Sequence, residues 1–230
     1  MQSITIFITA YQSQDYIEEC LDSVQNQDYF KNNDYEILLG IDGCEQTLEK
    51  VKQIKHKYKN LTVYYFPENK GTYITSNTLI TKAKYNWLLR FDSDDIMEPF
   101  MITELMKYTN NYKYIQITCK YLNNENKTML TGGVILLHKD VFKECNAFSP
   151  WTCAADSDLL FRYSINNKQY ITECKKPVFK RRVHNNSLTN RKETHRNSSI
   201  RKKYWNITTQ YIKNKTTKVD LVIHNNYIII

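Results

Sequence analysis

Through its first hundred residues the chain alternates between two spacings of apolar side chains. "ITIFITA" (4–10), "YEILLGID" (35–42), "LTVYYF" (61–66) and "YNWLLRF" (85–91) are short apolar or β-branched runs that read as buried strands. Between them the spacing becomes helical. Within 15–27, Ile17, Cys20, Leu21 and Val24 share one face, with Asp15 ahead of them as a cap. Leu48, Val51, Ile54 and Tyr58 do the same within 46–58. Residues 72–84 read as a third helix, although their threonines and isoleucines weaken its propensity. Strands alternating with helices predict an α/β fold with a parallel sheet covered on both faces.

The second half is less regular. Strands are expected over 114–122, 132–138 and 177–184, and helices over 96–108, capped by Asp95, and over 157–165. Ile200, Tyr204, Ile207 and Tyr211 mark an amphipathic helix whose apolar face suits the core or a second copy of the chain. A short strand over 220–224 follows. No repeat or Pro/Gly-rich linker separates the halves, so they are expected to share a core.

Ligands on such sheets gather at the carboxyl ends of the strands. Thr9, Asp42 and the cluster Asp92–Asp95 all fall there. Asp92 and Asp94 flank Ser93, a spacing that lets both carboxylates approach one hard cation, Mg²⁺ or Mn²⁺, held together with substrate phosphate oxygens.

Charge sharpens the picture. The chain of 230 residues carries +8, yet residues 175–203 hold eleven Lys or Arg against Glu193 alone, or +10. The remainder is therefore about −2, and the basic segment is a candidate contact for phosphate, another polyanion or an anionic membrane surface. No run reaches the roughly 18 apolar residues of a membrane span, and the N-terminal stretch lacks the basic start of an export signal. Six scattered cysteines without a CxxC pair argue against a zinc site and for buried thiols, and a cytoplasmic location is expected.

Taken in order, these motifs resemble family 2 glycosyltransferases with the GT-A fold. "ITAYQS" matches the family's first-strand turn, "YIEECLDSVQNQ" its first helix, and "GIDGC" its second-strand end. Asn69, Gly71 and Asn77 follow, then "DSDD" (92–95) and "ADSDLLFR" (155–162). Two departures stand out: Ile41 replaces the first aspartate of the second-strand motif, and Ala155 replaces a glutamate before Asp156. The resemblance covers roughly 3–190 and implies a GT-A domain over 1–190, with a nucleotide-binding half (1–113), a mixed acceptor half (114–190) and a basic helical extension (191–230).

The resemblance also implies roles. Thr9, Ala10, Tyr11 and Asp42 would receive the nucleotide base, and Asp92 and Ser93 the rest of the nucleotide sugar. Asp94, with His184, would hold Mn²⁺ or Mg²⁺, and Asp156 would be the catalytic base. Trp151 would meet the acceptor, Asp158 would cap its helix, and Arg162 would pair with an acid. The expected reaction is inverting transfer from a nucleoside-diphosphate sugar, UDP-linked, to a hydroxyl on a glycan, protein or lipid. The altered motifs keep a degenerate nucleotide-sugar or polyanion binding module as an alternative. A nucleotidyltransferase is disfavoured because "TAYQSQDY" lacks the glycines of a phosphate loop.

Overall fold

The computed structural model describes residues 2–185 and 187–230. The first strands and helices are β1 (Ile4–Ala10), α1 (Ile17–Gln25), β2 (Tyr35–Asp42), α2 (Glu45–Ile54), β3 (Leu61–Phe66), α3 (Thr72–Lys82) and β4 (Trp87–Asp92). Then come β5 (Ile96–Met97), α4 (Met101–Met106), β6 (Tyr114–Tyr121), β7 (Asn124–His138), α5 (Asp140–Cys145), α6 (Ala155–Asn167) and β8 (Ile171–Cys174). β9 (Phe179–Arg181), α7 (Ser199–Lys213) and β10 (Ile228–Ile229) complete the chain.

One sheet joins the strands in the order β10-β3-β2-β1-β4-β7-β6-β9-β5, with β8 beside β6. β3, β2, β1 and β4 run parallel, and β7 joins β4 antiparallel. Because side chains alternate across a strand, β1 feeds two cores. Ile4, Ile6 and Ile8 meet α1, α2 and α4 on one face, whereas Phe7 meets α3, α5 and α6 on the other. This double burial explains why the strands are apolar throughout.

Several expectations need correction. Residues 96–108 do not form one helix: Ile96 and Met97 pair with Lys180 and Phe179, and the helix starts only at Met101. Pro99 accounts for part of this, since the residue before a proline is pushed away from helical geometry. Asp95 therefore caps nothing, and its carboxylate accepts the Arg182 N–H at 2.9 Å. Asp15 makes no cap bond either; Tyr16 occupies the cap of α1 without a side-chain contact. β7 extends well before residue 132, because the polar stretch 124–131 forms a hairpin with β6. Residues 220–224 form no strand. They lie against α3, hydrogen-bonded to Asn77 and Thr78, and β10 pairs antiparallel with β3 instead.

The segment beyond residue 190 packs closely on the rest. α7 lies on α6, Val219 N–H donates to Cys145 O at 3.4 Å, and Asn77 Nδ2 donates to Val222 O at 3.2 Å. All six cysteines are free and buried. Among the described residues no helix is long and apolar enough to cross a membrane.

Candidate active site

A cleft of about 780 Å³ opens at the carboxyl ends of β1, β2 and β4. Thr9, Ala10, Tyr11, Asp42, Ser93 and Asp156 line it, as do Asp92, Asp94 and His184. One cavity thus gathers every candidate from the sequence except Trp151.

Its base-facing end starts at the β1 turn. Tyr11 is 39% exposed, and the Arg191 guanidinium lies 5.9 Å from its ring centre. Thr9 Oγ1 and Thr72 Oγ1 are 2.6 Å apart, and Ser13 Oγ and Ser93 Oγ 2.8 Å apart. Asp42 is only 2% exposed. Its carboxylate accepts the backbone N–H groups of Lys70 (3.0 Å) and Gly71 (2.9 Å), tying the loop after β3 to the end of β2. Gly43 makes this approach feasible: its φ is +68°, and a β-carbon there would stand 2.4 Å from Asn69 N.

At the acidic end three carboxylates have different partners. Asp92 Oδ1 meets the buried Arg90 guanidinium at 2.9 Å. Arg90 also donates to Gly133 O and to Thr72 Oγ1 (3.0 Å), while its Nε stays without a partner. Asp94 Oδ2 lies 2.8 Å from His184 Nε2, although 90 residues separate the two. Asp95 is buried, and Arg182 spans it and Asp94 by donating to the Asp94 carbonyl at 3.0 Å. Burial and the neighbouring carboxylates raise the pKa values of both Asp92 and Asp95.

Asp156 sits in the first turn of α6, and its Oδ1 accepts the Tyr73 hydroxyl at 2.9 Å. Burial and the Asp156 charge push the Tyr73 phenol well above its ordinary pKa, so it remains a donor. Beneath lie two glycines of β7. A β-carbon at Gly132 would stand 2.6 Å from Asp156 Oδ2, and one at Gly133 would stand 3.0 Å from Asp92 Oδ2.

The cap expected of Asp158 is absent, because its side chain points inward. It pairs with Arg162 Nε at 2.7 Å and accepts from Ser149 Oγ and Thr208 Oγ1. Arg162 thus pairs with an acid, as expected. Trp151 stacks on Tyr204 at 4.5 Å and lines a neighbouring cleft. From the basic segment, Arg181, Arg182, Arg191, Arg196 and Arg201 all line the main cavity.

Sequence reading missed Arg90, Tyr73, the glycine pair and His224. A charged residue inside an apolar strand, and the doubled glycine of "TGGVILLH", were the available signals for Arg90 and the pair. His224 gave none. It is 3% exposed, stacks on Phe66 at 4.2 Å, and brings Nε2 within 3.1 Å of Thr75 Oγ1 and 3.4 Å of Asp42 Oδ1.

The donors suit a divalent ion. An imidazole nitrogen and a carboxylate oxygen side by side are both ligand types for divalent cations. Among the described residues no group of three His, Cys, Asp or Glu is placed to hold a metal ion.

Known proteins place this architecture. The chain is 32% identical over 166 residues to a poly(ribitol-phosphate) beta-glucosyltransferase of Bacillus spizizenii, covering 69% of this chain and 23% of that protein. It is 30% identical over 127 residues to an uncharacterized glycosyltransferase of Mycoplasma genitalium, covering 51% and 41%. The match thus spans about a quarter of the first relative's length and about two fifths of the second's. Among solved structures, S. aureus TarS 1–349 in complex with UDP-GlcNAc superposes with a TM-score of 0.74 at 17% identity, covering 96% of this chain and 68% of that one. The mannosyltransferase PcManGT from Pyrobaculum calidifontis, in complex with GDP-Man and Mn²⁺, gives 0.68 at 16%, covering 80% and 58%. At these identities the likeness is one of fold, the GT-A fold. The family model for glycosyl transferase family 2 matches residues 5–169, more than half of the 230, and the chain belongs to that family.

Proposed function

We propose that the chain is an inverting, metal-dependent glycosyltransferase that moves a sugar from a UDP-linked donor to a hydroxyl acceptor. One observation carries the reading most directly. Asp156 and Asp92, 64 positions apart in sequence, are seated over the adjacent glycines Gly132 and Gly133 at the floor of one cleft. That convergence gives a base and a nucleotide-sugar contact a shared reaction space.

In this reading Tyr11 stacks on the base, and Asp42 holds the loop that closes over it. Asp94 and His184 would hold Mn²⁺, which, when bound, offsets the charge building on the departing diphosphate. Arg181 and Arg182 add fixed positive charge at the same end. Asp156 takes the proton of the acceptor hydroxyl as its oxygen attacks the anomeric carbon. The bond from that carbon to the diphosphate oxygen breaks on the opposite side, and configuration inverts. Tyr73 aims the base. Six buried thiols fit a reducing, cytoplasmic setting.

The test is hydrolysis of a panel of nucleotide sugars with and without Mn²⁺, followed by transfer. UDP-sugars should be turned over faster with the metal, and Asp94→Ala should lose that stimulation. Asp156→Asn should bind UDP normally while transfer falls about 10²- to 10⁴-fold. Undiminished transfer by Asp156→Asn would remove it as the base.

A further inference from the structure

Beside the main cleft lies a second one of about 590 Å³, formed where α7 packs on α6, with one wall inside the region matched by the family model and the other, residues 196–208, beyond it. Its walls are aromatic. Trp151 and Tyr204 stack face to face at 4.5 Å with planes 2° apart, and Trp205 meets Phe161 edge-on at 5.3 Å. Trp205 nevertheless remains 53% exposed. Its indole therefore leaves a flat apolar face open in the wall of the cleft.

The rim is cationic. Arg196, Arg201 and Lys202 line the cleft, whereas its one carboxylate, Asp158, is buried and already paired with Arg162. Arg201, Lys202 and Lys203 stand at the start of α7, whose first turn contains no acid. Cations there oppose the helix dipole, a stability cost that an anionic ligand would reverse. Ser157, Arg196 and Arg201 line both clefts, so the two adjoin along these side chains, and Ser157 is the neighbour of Asp156.

We propose that this cleft is an acceptor subsite for a phosphate-bearing carbohydrate chain. The terminal hydroxyl would reach Asp156, the chain would pass Arg196 and Arg201, and a following sugar ring would lie on Trp205. The proposal rests on the transferase reading and names the acceptor class of that same site.

Binding of pentamannose monophosphate, neutral pentamannose and inorganic phosphate, measured by isothermal titration calorimetry, tests it. The phosphorylated chain should bind most tightly, and more weakly as salt rises. Trp205→Ala and Lys202→Glu, both exposed and outside the donor cleft, should each weaken that binding about tenfold. UDP-sugar hydrolysis, measured in parallel, should be unchanged in both. Absent binding, or binding untouched by either variant, overturns the subsite. Equal binding by the neutral chain, by inorganic phosphate or by a single-stranded oligonucleotide of similar charge overturns the acceptor class. Loss of donor hydrolysis in the unmodified protein would defeat the transferase reading while leaving the calorimetry of the cleft interpretable.

Discussion

Gly132 and Asp156 share a space that holds no additional atom. A methyl group at 132 would have to displace the carboxylate, because the clash at 2.6 Å involves the far end of a side chain and not the backbone. Gly132→Ala should therefore leave the melting temperature nearly unchanged while transfer falls on the order of 10²-fold, the scale expected for a reacting group moved by about an ångström. Paired thermal melts and transfer rates check this. A large loss of stability with normal specific activity would show that the glycine serves packing alone. Asp156 was a candidate from the sequence through the resemblance of the motif over 155–162. The residue that positions it lies on a strand 24 positions earlier, and no local spacing joins them.

Among the elements, the run after α7 behaves least like its sequence. Residues 220–224 carry a short apolar run as a strand would, yet the run lies against α3, where Asn77 donates to Val222 O and His224 N–H donates to Thr78 Oγ1, and it brings His224 beside Asp42. There it touches Thr75 and Phe66 as well, bracing from below the carboxylate that holds the Lys70–Gly71 loop. His224→Ala leaves Thr75 and Asp42 short of a buried partner, at a cost of about 1–3 kcal/mol. Titration with UDP should then show a raised Kd, with the transfer rate at saturating donor less affected. An unchanged Kd would confine His224 to stabilising the fold.

For the molecule as a whole, Arg162 is the fastening. Fully buried, it pairs with Asp158 and donates to Cys145 O (3.0 Å), Ala147 O (2.9 Å) and Thr217 O (2.9 Å), joining α5, α6 and the run after α7. Asp158 adds Thr208 of α7 to the same network. Arg162→Ala strands a buried carboxylate and three carbonyls, so stability should drop by about 3–5 kcal/mol. That is a large part of the 5–15 kcal/mol typical of a folded domain. Urea unfolding provides the measurement, and a loss below about 1 kcal/mol would show that water replaces the guanidinium.

The parallel half, β1 to β4 with α1 to α3, was readable from the sequence alone, as were the carboxylates at its strand ends. Each of these features is written within a few residues, as a period, a short apolar run or a compact acidic motif. Tertiary structure decided what depends on partners far along the chain. It turned polar residues 124–131 into a strand, broke the helix expected over 96–108, set Gly132 against Asp156, and brought arginines of the basic segment to the wall of the main cleft. Strand pairing and charge pairing reward contacts between distant segments, and a linear pattern carries no record of which segments will meet.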